Sequence, residues 1–113
     1  MSTTQQVPTT VDMARDSNLA VTLANYGTPT GLTADELRKR LRGYIGLLTE
    51  PAGQYAEALA DSRAKDIAQN TVEHAQRVAA DRGGNPEANL RLLGKSVALL
   101  LRYAGDHQRR QAQ

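Results

Sequence analysis

Three groups of residues have the types and spacing to do chemistry. They are a run of cations at Arg38, Lys39, Arg40 and Arg42; a line of cations at Arg91, Lys95 and Arg102, continued by Arg109 and Arg110; and an apolar strip of Leu92, Leu99 and Tyr103. Clustered cations can bind phosphate groups, and an exposed apolar strip can seat another protein. At about 100° per residue the side chains of the first run spread around a helix instead of forming one stripe. Asp35 stands four residues before Lys39 and Glu36 four before Arg40, the favourable order for ion pairs along a helix. A solvated face with local pairs is therefore predicted there in preference to a phosphate patch. Arg91, Lys95 and Arg102 share one narrow side of a helix, with Arg109 and Arg110 adding charge beyond it, and this line is the candidate nucleic-acid contact. No aromatic is interleaved with these cations, which disfavours recognition of single strands by base stacking.

Other chemistries find little support. With no cysteine, disulfides, thiolate metal sites and cysteine nucleophiles are excluded. The two histidines, His74 and His107, are too far apart in sequence to form a ligand pair. Ser62 reads as a helix cap and Ser96 as an interhelical residue, neither with a base at a local spacing. Asp35 and Glu36 are accounted for by a helix start, and Gly83-Gly84 by a helix stop. A helix–turn–helix reader would need a polar recognition helix after Asp61-Ser62, but Arg63 and Lys65 there are interspersed with Asp66 and Glu73. No catalytic, cofactor-binding or metal residue is assigned, and a non-enzymatic protein is expected.

These groups must be positioned by a small core. A chain of 113 residues is one domain, and it has no Phe or Trp. The core must come from Leu, Val, Ile, Ala and a few Tyr, so it is thin and suited to completion by a partner chain. Fourteen Lys and Arg against 12 Asp and Glu leave a net charge of +2, which permits a nucleic-acid partner without pointing to one. The opening MSTTQQVPTT lacks both Lys or Arg and an apolar run. Leu19 to Ala24, interrupted by Thr22, is too short for a signal sequence or a membrane span, so a cytoplasmic protein without membrane contact is expected.

The patterning is helical throughout. Residues 1–10 are expected to be a flexible polar tail. A weak helix over 11–26 carries Val11, Ala14, Leu19 and Leu23, with Asp16 and Asn18 counting against it. After Gly27-Thr28-Pro29-Thr30-Gly31, Thr33 and Glu36 predict a capping box and Leu32 and Leu37 a hydrophobic staple. The second helix, 33–60, carries Leu37, Leu41, Tyr44, Ile45 and Leu48. Pro51 either kinks it or starts a new helix, and a kink is favoured. Asp61 or Ser62 caps a third helix, 62–82, whose stripe is rich in alanine. Asn85, Pro86 and Glu87 open a fourth, 86–104. Leu90, Leu93, Val97, Leu100, Leu101 and Ala104 form one face of it, and Leu92, Leu99 and Tyr103 a second. Gly105 is read as its stop and 107–113 as a polar tail. Each glycine inside a helix costs about 1 kcal/mol relative to Ala. Close packing is expected at Gly94, whereas Gly43 and Gly46 admit either close approach or tolerance on an exposed face. The fold class is all-α: a single irregular three- to four-helix bundle over 11–106 with disordered tails.

The segment Leu41-Arg42-Gly43-Tyr44-Ile45-Gly46-Leu47-Leu48, reached through Leu32-Thr33-Ala34-Asp35-Glu36-Leu37, resembles the small all-helical domain-of-unknown-function proteins of Streptomyces and related actinomycetes. Those carry an LRGHIxLL helix leading into PE; here Tyr44 stands in place of His, and Glu50-Pro51 reverses the final pair. The resemblance implies an all-α fold and an actinobacterial cytoplasmic setting, and it brings no residue roles.

Two functions follow from the residues. The first is a non-enzymatic, regulatory docking module using Leu92, Leu99 and Tyr103, its partner another protein or a second copy. The alternative is a small DNA-associated accessory protein using Arg91, Lys95, Arg102, Arg109 and Arg110.

Overall fold

The structure, a computed structural model, describes residues 7–112. Four helices follow one another: α1 (Thr10–Tyr26), α2 (Leu32–Ala58), α3 (Ser62–Ala80) and α4 (Pro86–Gln111). Among the described residues there is no strand. The expected tail over residues 1–6 lies outside the described residues. The bundle is flat, with extents of 43 × 42 × 21 Å, about two helix diameters thick. No described helix is long and apolar enough to cross a membrane.

α4 packs against each of the other helices, because its apolar positions cover more than half its circumference. Leu90, Leu93, Val97 and Leu100 are fully enclosed with Leu37, Leu41 and Ile45 of α2. α3 contributes only the small Ala68, Val72, Ala75 and Val78. α1 lies on α4 through Met13, Ala20 and Ala24. The approach is close at Gly94, where a Cβ would stand 2.8 Å from the Ser17 carbonyl oxygen and 2.9 Å from the Ala20 Cβ. The expected close packing at Gly94 is thus present, while Cβ atoms at Gly43 and Gly46 would meet nothing within 4 Å.

Local signals placed two caps correctly. Asp61 accepts hydrogen bonds from the Arg63 and Ala64 N–H groups, and Asn85 accepts one from Ala88 with Pro86 following it. Other boundaries differ from the expectation. α1 opens with a capping box between Thr9, in the stretch read as a tail, and Asp12, so the helix starts one residue earlier, at Thr10. α2 begins at Leu32, not Thr33, and the Thr33–Glu36 box does not form. Gly31 precedes it at φ 99°, a conformation open to glycine, and no side chain caps it. The staple is absent too, since Leu32 is 80% exposed. The turn is fixed instead by Arg38, whose guanidinium donates to the Pro29 carbonyl. α2 continues through Pro51 to Ala58. The Leu47 carbonyl that Pro51 cannot satisfy belongs to an exposed residue, within reach of water. α3 stops at Ala80, two residues early, where Asp81 accepts from the Gly83 N–H.

The largest correction is at the end of α4. Gly105 does not stop the helix, which runs on to Gln111. Its last turns are held by an Asp106–Arg109 pair and by Arg110, whose guanidinium lies 5.2 Å from the Tyr55 ring centroid. Arg109 and Arg110 therefore sit on a helix and not in a tail.

Candidate docking surface

The second apolar strip of α4 divides. Leu92 and Leu99 are 42% and 40% exposed, seven residues apart on the outward side of the helix. Tyr103 turns inward: its ring stacks on Tyr55 at 5.1 Å and packs against the core.

The basic line is largely engaged within the chain. Arg91 donates to Asn25 and Glu87, Arg109 pairs with Asp106, and Arg110 lies over Tyr55. Lys95 and Arg102 are exposed and form no ion pair among the described residues. Arg102 stands instead at the edge of an open groove of about 810 Å³ between α1 and α4, floored by Val11, Ala14, Ala98 and Leu101.

The cations of α2 do not form the predicted solvated face: the Asp35–Lys39 and Glu36–Arg40 pairs are absent, and the local pair that forms joins Arg38 to Asp35. Arg38 is buried and Arg40 reaches α1, where its guanidinium donates to Asp16 at 2.9 Å. Arg42 donates to the carbonyls of Ala79 and Asp81 at 3.2 Å each, closing the end of α3. All three arginines link helices, with partners far away in sequence.

Two polar links fasten α1 to α2 and α4. Asp16 is 4% exposed and accepts from the Tyr44 hydroxyl at 2.5 Å as well as from Arg40. Ser17 donates to the Gly94 carbonyl at 2.7 Å. Sequence reasoning counted Asp16 against α1. The available signal was its register, since Met13, Ala20 and Ala24 lie at helical spacings from Asp16-Ser17, which marks a polar pair at a core position.

These links have a pH signature. Burial pushes the Asp16 carboxyl up, but the hydrogen bonds from Arg40 and Tyr44 outweigh it and hold Asp16 below its ordinary value of 3.8. Burial and the Asp16 hydrogen bond push Tyr44 from 10.0 up to about 12. A lowered carboxylate stabilises the fold above its unfolded pKa, and that contribution is lost as pH falls through the folded one. A raised tyrosine stabilises below its unfolded pKa and is lost as pH rises through the folded one. From these two groups stability should be level between 3.8 and 10.0, then decline below the first value and between 10.0 and about 12. Urea midpoints across pH check this, and a Tyr44→Phe chain should lose the alkaline decline.

A family model described as a family of unknown function (DUF6415) matches residues 11–109. No curated protein and no solved structure matches the chain.

Proposed function

The chain belongs to that family of unknown function, and we propose that it is a non-enzymatic regulatory module that docks through the outer side of α4, its first occupant being a second copy of itself. The observation that carries this reading is the pair Leu92 and Leu99, each about two-fifths exposed on the helix that packs against all three others in a thin bundle. A two-fold axis crossing α4 between them would set Leu92 of each copy against Leu99 of the other, the self-complementary arrangement of a symmetric dimer.

Sedimentation velocity over a concentration series tests the proposal. The wild-type chain should show a monomer–dimer equilibrium. The Leu92→Glu/Leu99→Glu chain should remain monomeric with unchanged helicity by circular dichroism. Both positions are outward, so little of the core is at stake; Tyr103 is left intact because it anchors the end of α4. A wild-type chain that stays monomeric at every concentration would overturn self-docking. Salt-dependent binding of duplex DNA, lost on changing Lys95 and Arg102 to Gln, would favour the accessory-protein reading instead.

A further inference from the structure

Arg38 and Arg42 stand four residues apart on α2 and converge on the α3–α4 connection. The Arg38 side chain is only 10% exposed and donates to the Pro86 carbonyl at 2.8 Å and to Asn89 at 3.0 Å. Arg42 reaches the Asp81 carbonyl. With Arg82 they line an open cavity of about 360 Å³ bordered by the Gly83-Gly84 turn. The only carboxylate in its lining is Asp35, which is already bonded to Arg38. Three guanidinium groups face that one carboxylate in the lining; the Asp81 carboxylate, which accepts from the Gly83 N–H, also acts on Arg42, and a positive surplus remains. Arg82 has no hydrogen-bond partner among the described residues, and the Arg42 guanidinium is pressed below its ordinary pKa by burial and then by Arg82 and Arg38. The amino end of α2 adds to the positive field, since Thr30 and Asp35 line the cavity and no side chain caps that helix.

We propose that this cavity is a binding site for a phosphoryl group, held by Arg42 and Arg82 against the Gly83-Gly84 turn. An oxyanion suits the positive surplus, and guanidinium forks match its oxygens two at a time. Arg38 is the fixed wall, because most of its donors are already committed. The site is independent of docking at α4.

Isothermal titration of the full chain with inorganic phosphate, at constant ionic strength maintained with chloride, tests it. Saturable one-site binding is expected, weakened about tenfold or more by Arg82→Gln. Arg82 is exposed, so this variant should keep the fold, whereas Arg42 also closes α3 and is a poorer probe. A parallel titration with phenyl phosphate separates the sources: tighter binding than phosphate identifies a phosphomonoester, and weaker binding the free ion. Absence of saturable heat from both probes, or equal affinity in wild type and Arg82→Gln, would overturn the proposal.

Discussion

Gly94→Val should lower the unfolding free energy by about 3 kcal/mol, the upper end of the range for overpacking a close-packed site. The added Cβ would stand 2.8 Å from a backbone oxygen of α1 and 2.9 Å from the Ala20 Cβ, so α1 must shift as a body to admit it. The Ser17 bond to the Gly94 carbonyl would be strained at the same time. Against this, leaving glycine inside a helix returns less than about 1 kcal/mol. Gly43→Ala supplies the contrast: its Cβ meets nothing within 4 Å, and it should stabilise by up to about 1 kcal/mol. Urea denaturation measures both. Equal shifts would show that α1 does not rest on α4 at Gly94.

Asp16→Ala should cost about 2–3 kcal/mol. Removing one partner of a fully buried ion pair costs about 3–5 kcal/mol, but the Arg40 side chain is 46% exposed and can return to water, which reduces the loss. What remains is the Tyr44 hydroxyl, left buried without an acceptor, at about 1–3 kcal/mol. Tyr44→Phe alone should cost less, about 1 kcal/mol, since Asp16 keeps Arg40. The double variant should therefore be less destabilised than the two single effects combined, by about 1 kcal/mol. Strict additivity would mean that the two groups do not share a hydrogen bond in solution.

The all-α class and the four helices could be read from the sequence because they rest on local signals. Periodicity places Leu37, Leu41 and Ile45 inward, and Asp61 and Asn85 cap helices through bonds spanning two or three residues. Gly94 was readable because an interior glycine beside a leucine face has few other uses. The roles of Arg38, Arg40 and Arg42 were not, since their partners lie up to 51 residues away along the chain. The start of α2 was missed for the same reason: Thr33 offers a good local cap, but Arg38 fixes the turn from a distance. At the far end, Gly105 looked like a stop until Tyr55 and Asp106 engaged the cations beyond it. Of the docking strip, Leu92 and Leu99 lie on the surface as expected, while Tyr103 was claimed by Tyr55, an aromatic partner on another helix.

The most direct test of self-docking along α4 is disulfide trapping. The chain has no native cysteine, so one introduced thiol reports one position. Lys95→Cys lies between Leu92 and Leu99, close to the axis of the antiparallel pair, and Thr22→Cys lies on the exposed side of α1. Under mild oxidation at equal concentrations, the account predicts rapid covalent dimerisation of the Lys95→Cys chain and little of the Thr22→Cys chain. Equal, slow crosslinking of the two would contradict it, because collisions alone would then explain the product.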